Sequence, residues 1–216
     1  MIRDAICFLL CAVTLQAQSL LDIHLGGKAG QVYSVTQWKK DWPGCEFEDG
    51  VKEGRVTLIR HGQEPWLRVL YPAGSHGSDA GGAGWRCPFG RVEAAELRYT
   101  VQFQEAFDFV KGGKLPGLCG GPKTITGGDA VNGRDGFSAR VMWRRDGRGQ
   151  AYVYHMHQPS KYGDEFDFPE AFRFVPGKPV AIRMQVVMNH AGQRDGSLRV
   201  WADDQAYGGE KEPAMA

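Results

Sequence analysis

Hydrophobic and polar residues alternate in several short stretches of the chain, a pattern typical of β-strands that bury one face. The alternation is clearest in residues 97–103 and 179–188, where nearly every second side chain is apolar. Residues 55–59, 65–71 and 198–201 have strand character over shorter runs. No long amphipathic helix and no internal repeat is visible, so the pattern predicts an all-β protein.

Two further stretches, 137–144 and 151–158, flank the sequence Arg-Asp-Gly-Arg-Gly and predict a β-hairpin. Side chains on a strand point alternately to opposite faces, so the hairpin has an apolar face and a polar one. If the two strands pair in register, the polar face combines a hydroxyl, guanidinium groups and phenols. Its members are Ser138, Arg140, Arg144, Tyr152 and Tyr154, with Met156 and Gln158 further along, whereas His155 and His157 face the other way.

Many short strands at close spacing predict an antiparallel two-sheet sandwich of the β-jelly-roll type. The length of 216 residues suits one domain, which we place at residues 18–216. The 30 glycines fit frequent turns between the strands. Apolar side chains of the predicted strands are expected to form the core, namely Leu97, Val101, Phe103, Phe137, Val141, Trp143, Ile182 and Val186.

The first 17 residues have the features of a secretory signal peptide. Arg3 supplies a positive charge, residues 5–13 are apolar, and Leu15-Gln16-Ala17 resembles a cleavage site. A membrane-spanning helix needs ~20 apolar residues, more than this stretch offers, and a buried first strand is the other interpretation. The sequence therefore predicts a secreted protein, extracellular or periplasmic, with no membrane attachment in its mature form.

Three cysteines remain after removal of this signal: Cys45, Cys87 and Cys119. In an oxidising compartment they permit one disulfide and one free thiol. The sequence does not choose among the pairs, although Cys45–Cys87 is slightly preferred because Cys119 lies within a motif described next. The formal net charge is +1, which argues against a nucleic-acid-binding protein and leaves an anionic ligand to a local basic cluster.

Several motifs follow one another along the chain: Tyr99-Thr-Val-Gln-Phe103, Phe107-Asp-Phe-Val-Lys-Gly-Gly-Lys-Leu-Pro-Gly-Leu118 with Gly120-Gly121, Phe137-Ser-Ala-Arg-Val-Met-Trp-Arg144, and Tyr152-Val-Tyr154. Together they resemble the signature of polysaccharide lyase family fourteen, which contains alginate lyases and lyases of glucuronic-acid polymers. The resemblance covers roughly residues 67–201. It implies a jelly-roll enzyme that cuts an anionic polysaccharide, alginate or glucuronan, by β-elimination.

The resemblance also implies roles for single residues. Lys114, which the sequence places in a glycine-rich loop, is expected to be catalytic together with Tyr152 and Tyr154. The cation offsets the charge of the uronate carboxylate, one tyrosine removes the proton on carbon-5, and the same or the other tyrosine protonates the leaving oxygen. This scheme needs no metal and no cofactor, and we expect a monomer. The expected substrate-binding residues are Ser138, Arg140 and Arg144.

Three other interpretations remain open. The family domain continues for several strands beyond the position of Trp201, so we expect a C-terminally truncated jelly roll and keep a catalytically inactive, carbohydrate-binding lyase-like module as the alternative. A glycoside hydrolase needs two carboxylates across a groove, but residues 164–167 look like a loop and no second carboxylate is expected on the tyrosine face. A metal held by His155 and His157 is a further option, although half-buried strand histidines are commoner.

Overall fold

The computed structural model describes residues 19–77, 79–203 and 205–207, and the chain divides into two compact units with the boundary after Arg91. The predicted signal peptide lies outside the described residues, and the assignment of 18–216 to one domain stays a prediction. None of the helices in the described part of the chain is long and apolar enough to cross a membrane.

The first unit contains one short helix and four strands. Its elements are α1 (Val35–Asp41), β1 (Glu46–Asp49), β2 (Val56–His61), β3 (Glu64–Val69) and β4 (Gly84–Arg86). Strands β2 and β3, both predicted from the sequence pattern, pair as an antiparallel hairpin, and β1 pairs with β4. Helix α1 has no amphipathic signature long enough to predict it, but Ser34 caps it by accepting the Gln37 N–H at 3.1 Å.

The core of the first unit is aromatic and lies beside a disulfide. Cys45 and Cys87 are bonded, which confirms the preferred pair, and Cys119 is a free thiol. The Trp85 ring packs edge-on against Trp42 at 5.0 Å between ring centres. The disulfide links the residue after β4 to the residue before β1 and so limits the freedom of the unfolded chain. The buried members of this core are Tyr33, Trp38, Val51 and Val56.

The second unit is a two-sheet antiparallel sandwich, as predicted. One sheet has the order β12-β11-β10-β5 and the other has the order β6-β7-β8-β9. The strands are β5 (Ala94–Gln102), β6 (Gly113–Gly120), β7 (Phe137–Trp143), β8 (Gly149–Tyr154), β9 (Asp164–Asp167), β10 (Pro179–Val187), β11 (Ser197–Ala202) and β12 (Gln205–Tyr207). Residues 208–216 lie outside the described residues, so the expected C-terminal truncation of the jelly roll stays a prediction.

Side chains from both sheets of the second unit meet in one core. The Phe103 ring, just after β5, lies 5.2 Å from the Trp143 ring of β7 and so links the two sheets. Leu97 and Val101 are only half-buried because β5 is the last strand of its sheet. The other predicted core residues are buried, namely Phe137, Val141, Ile182 and Val186.

The predicted hairpin is confirmed as β7 and β8, but its second strand is shorter than expected. β8 ends at Tyr154 because Gln158 folds the chain back on itself. Its backbone N–H bonds to the His155 carbonyl at 3.1 Å, and its side-chain oxygen accepts the His155 N–H at 3.3 Å. Contrary to the prediction, Met156 and Gln158 therefore do not continue the tyrosine face. His155 is buried and His157 is exposed, so the two histidines do not share a face.

The glycine-rich segment around Lys114 is a strand and not the predicted loop. Residues Gly113 and Gly117 have ordinary extended backbones in β6, which pairs with β7 around a bulge between Lys114 and Gly117. A Cβ at Gly113 would overlap the Trp143 ring, and a Cβ at Gly117 would overlap the Ala139 carbonyl and Arg140. These glycines are required because neighbouring groups approach the backbone closely, and not because the chain turns there.

Replacement of Gly117 by alanine is expected to destabilise the second unit by about 2 kcal/mol or more, because the new methyl group must push β6 away from β7. Thermal unfolding followed by circular dichroism would measure the loss. Gly84→Ala is the matched control, since Gly84 is also a strand glycine but has open space where its Cβ would lie. Equal melting temperatures for the two variants would show that the β6–β7 approach is not tight.

Candidate active site

The register of the second sheet brings the predicted site residues onto one face. Ser138 lies opposite Tyr154 across the β7–β8 pair, and Arg140 lies opposite Tyr152. On the other side of β7, Lys114 lies opposite Met142, one position further along the same face. Residues directly opposite each other in neighbouring strands project to the same side. Of the six predicted site residues, the five other than Arg144 therefore lie within three neighbouring rows of one sheet face.

Lys114 and Arg140 form a pair of neighbouring cations that no carboxylate of the described residues neutralises. Burial and the positive charge of Arg140 together lower the pKa of Lys114, and burial lowers the pKa of Arg140. Among the described residues, no carboxylate lies within ion-pair distance of either side chain. Two like charges held together without a counterion favour the binding of an anion.

The two tyrosines lie side by side on β8 with their hydroxyl oxygens 3.4 Å apart. Each hydroxyl also accepts a backbone hydrogen bond, Tyr154 from the Gly128 N–H at 2.9 Å and Tyr152 from the Gly163 N–H at 3.1 Å. Burial, the hydrogen bond to Tyr154 and the charge of Glu165 raise the pKa of Tyr152 to about 12. Tyr152 thus keeps its proton at neutral pH.

A loop segment covers part of this face, which the sequence did not predict. The Ser138 hydroxyl donates to the Ile125 carbonyl at 2.7 Å, and the Lys114 ammonium contacts the Thr126 hydroxyl at 3.4 Å. Ile125 is fully buried against Met142 and both tyrosines. Consequently Ser138 and Tyr154 are 0% and 1% exposed, and the face is open mainly at Lys114 and Arg140.

The segment turns sharply over the Tyr154 hydroxyl. The Asp129 N–H donates to the Thr126 carbonyl at 3.1 Å, and the central residues Gly127 and Gly128 have φ of 63° and 91°. Such a turn needs two positive φ values, which glycine adopts without strain. An ion pair of 3.3 Å between Lys123 and Asp129 closes its base.

Arg144 lies on the same side but is committed to other residues. Its guanidinium forms an ion pair with Glu165, donates to the Gln150 side chain at 2.6 Å, and lies 5.8 Å from the Tyr152 ring centre. Gln150 in turn donates to Asp167 at 2.8 Å. Arg144 is therefore neutralised within the fold, unlike Lys114 and Arg140. A direct contact of Arg144 with substrate stays a prediction that these bonds do not support.

The two carboxylates of this network were not predicted from the sequence. Residues 164–167 form strand β9 and not a loop, and Glu165 and Asp167 lie opposite Tyr152 and Gln150 on the tyrosine face. The signal that could have found them is the alternation of Phe166 and Phe168 with the acidic residues. The expectation that this face carries no second carboxylate was therefore wrong.

His155 lies beneath the hairpin and contacts Asp164. Its Nε2 atom is 3.3 Å from an Asp164 carboxylate oxygen, whereas its buried Nδ1 atom has no hydrogen-bond partner. Burial lowers the pKa of His155, although Asp164 opposes this effect. Within the part of the chain that the structure describes, no three His, Cys, Asp or Glu side chains come together as metal ligands would.

The fold and this face define a class of protein: a β-sandwich with two neighbouring cations, unpaired with any carboxylate of the described residues, beside two buried phenol hydroxyls. The model of the polysaccharide lyase 14 family matches residues 60–212, and the chain therefore belongs to that family. The chain is accordingly a polysaccharide lyase, as the motifs predicted. A comparison with curated protein sequences finds no significant match.

Solved structures of lyases have the same fold. Alginate lyase Aly36B is 26% identical, with a TM-score of 0.74 over 89% of this chain and 78% of that chain. The PL-14 alginate lyase from Aplysia kurodai is also 26% identical, with a TM-score of 0.70 over 93% and 82%. The endo-β-1,4-glucuronan lyase from Trichoderma reesei, at 14% identity and a TM-score of 0.50 over 81% and 74%, shares the fold alone. These likenesses confirm the predicted jelly roll.

The buried His155 should make stability depend on pH. Its pKa is lowered in the folded state, so the unfolded chain takes up the proton more readily and folding loses stability as the pH falls below about 6.5. His155→Asn is expected to weaken this loss, measured as the difference in the free energy of urea unfolding between pH 7.5 and pH 5. The exposed His157 provides the control, since His157→Asn should retain the wild-type pH dependence. A His155→Asn protein with the wild-type pH dependence would contradict the assignment.

Proposed function

We propose that the protein cleaves a uronic-acid polymer by β-elimination at the face formed by Lys114, Arg140, Tyr152 and Tyr154. The observation that carries this proposal is a cation pair, without an acidic partner among the described residues, beside two phenol hydroxyls. A carboxylate supplies the missing negative charge, and a guanidinium and an ammonium group both bind carboxylates well. Uronates present one carboxylate on every sugar, next to the carbon that must lose its proton.

The reaction follows from this arrangement. Lys114 and Arg140 neutralise the carboxylate, which makes the proton on carbon-5 more acidic and stabilises the enolate-like intermediate. Deprotonated Tyr154 takes that proton, and the electron pair left on carbon-5 forms the double bond to carbon-4. The bond from carbon-4 to the glycosidic oxygen breaks, and Tyr152 gives its proton to that oxygen. No step of this scheme calls for a metal.

The hydrogen bonds of the two tyrosines support the division of their roles. The Gly128 N–H and the nearby charge of Lys114 provide partners for a negative charge on the Tyr154 oxygen. Tyr152, whose pKa is raised to about 12, is suited to be the proton donor. Because the turn from Thr126 to Asp129 covers the Tyr154 hydroxyl, we propose that this turn shifts when the polymer binds.

Alginate is the first candidate substrate and glucuronan the second. A variant of Aly36B has been solved in complex with an alginate trisaccharide, and the Trichoderma reesei enzyme is a glucuronan lyase. Both polymers carry the carboxylate that the cation pair requires. We also retain the proposal that residues 1–17 direct secretion, with a monomeric mature protein that binds neither nucleic acid nor membranes.

One assay tests the proposal. The protein is incubated with polymannuronate, polyguluronate and glucuronan, and the ultraviolet absorbance of the unsaturated product is followed together with new reducing ends. A rise in both supports a lyase. New reducing ends without absorbance would indicate hydrolysis, for which Glu165 and Asp167 are the available carboxylates. Binding without cleavage would indicate the inactive carbohydrate-binding module, which the covering of Tyr154 by the Thr126–Asp129 turn favours.

Lys114→Ala and Tyr154→Phe are each expected to lower kcat by ~10²–10³-fold, because the charge and the hydroxyl act mainly in the transition state. Circular dichroism should show an unchanged fold for both. Lys178→Ala, at the end of the other sheet, and Tyr71→Phe, at an exposed position in the first unit, remove the same groups and should retain wild-type rates. Near-full activity of Tyr154→Phe would exclude Tyr154 as the base.

Arg140→Ala is expected to raise KM as well as lower kcat, since a guanidinium–carboxylate pair already exists in the bound ground state. Initial rates over a range of polymer concentrations would separate the two effects. Arg199→Ala, at an exposed position on the opposite sheet, is the control. An unchanged KM for Arg140→Ala would show that Arg140 does not contact the substrate before the reaction.

A further inference from the structure

The segment that follows β8 is a fixed loop and not a loose connection. The Gln158 side chain holds it from within, because its oxygen accepts the His155 N–H at 3.3 Å and its nitrogen donates to the carbonyls of Ser160 and Lys161 at 3.0 and 3.2 Å. The Ser160 hydroxyl adds a bond to the Tyr162 carbonyl at 2.9 Å. These bonds give Lys161 and Tyr162 a defined position.

That position is the rim of the tyrosine pair. Gly163, the next residue after Tyr162, donates its N–H to the Tyr152 hydroxyl at 3.1 Å. On the other side, a Cβ at Gly128 would lie 2.9 Å from Lys161 Cε and 3.2 Å from Tyr162 Cε1. Because the Gly128 N–H is bonded to the Tyr154 hydroxyl, Lys161 and Tyr162 border both hydroxyls.

The two rim side chains present an aromatic surface and a positive charge to solvent. Tyr162 is 56% exposed, and the Lys161 ammonium lies 5.9 Å from the centre of its ring. Over the residues that the structure covers, no carboxylate lies within ion-pair distance of Lys161. A large exposed ring on a fixed loop beside a reaction site is typical of a binding surface.

We propose that Lys161 and Tyr162 form a second uronate-binding subsite, which holds a sugar of the polymer next to the one at Tyr152 and Tyr154. The C–H face of the sugar packs on the Tyr162 ring, and its carboxylate pairs with Lys161. This inference rests on the proposed function, since it requires a uronate polymer on the same face. It gives the loop after β8 a role in binding the chain on one side of the cleaved bond.

The test compares substrates of different length. Disaccharides and hexasaccharides of mannuronate, guluronate and glucuronate are the ligands. Their dissociation constants are measured by calorimetry with the Tyr154→Phe protein, alone and with a substitution of Lys161 or Tyr162 added. Adding Tyr162→Ala is expected to weaken hexasaccharide binding by about fivefold to tenfold and to change disaccharide binding much less. Tyr162→Phe should retain the affinity, because the ring and not its hydroxyl contacts the sugar.

Lys161→Ala should weaken hexasaccharide binding, and the difference from the unsubstituted protein should shrink as the salt concentration rises. Lys178→Ala removes the same charge at the end of the other sheet and should have no effect. Val110→Ala is the control for Tyr162, because Val110 is 57% exposed and lies near the turn at the far end of the hairpin. Unchanged hexasaccharide affinity in Tyr162→Ala would overturn the subsite while a lyase activity of the wild type remained intact. Failure of every uronate oligomer to bind would overturn both the subsite and the proposed function.

Discussion

The antiparallel register of β7 with β8 is the constraint on which the proposed site depends. It sets Arg140 opposite Tyr152 and Ser138 opposite Tyr154, so the cation and the phenols reach the same side of one sheet. A slip of one residue would send Tyr152 and Tyr154 into the core between the sheets. The buried face of β8, with Ala151 and Val153, opposes such a slip because these apolar side chains would then leave the core.

The same sheet sorts its cations into two kinds. Arg144 is neutralised by Glu165 and tied to Gln150, so its charge is satisfied within the fold. Lys114 and Arg140 repel each other and have no such partner among the described residues. An anion that binds between them removes the repulsion, and the binding energy is greatest where charge develops next to them. In the proposed reaction, this charge is the one on the uronate carboxylate and on the enolate-like intermediate that forms beside it.

Patterns that depend on one strand were predictable, and contacts between distant segments were not. Alternation in residues 137–144 was sufficient to predict β7, its buried face and its polar face. The strand at Lys114 was missed because Gly113 and Gly117 look like turn residues in the sequence. Both positions need glycine because Trp143 and Ala139 of β7 lie where a Cβ would be. The cover over Tyr154 depends on which carbonyl the Ser138 hydroxyl meets, and no local pattern in the sequence encodes that choice.

The central claim is that Lys114 and Arg140 bind a carboxylate, and chemical removal of that carboxylate tests it most directly. Tetrasaccharides of mannuronate, guluronate and glucuronate are each compared with the oligosaccharide in which every carboxyl group is reduced to an alcohol. Binding is measured by calorimetry with the Tyr154→Phe protein, which is expected to cleave the ligand far more slowly than the wild type. We expect at least one acidic oligosaccharide to bind and its reduced form to bind about tenfold or more weakly, which is ~1.4 kcal/mol or more. Equal affinity for the acidic and reduced forms would contradict the claim.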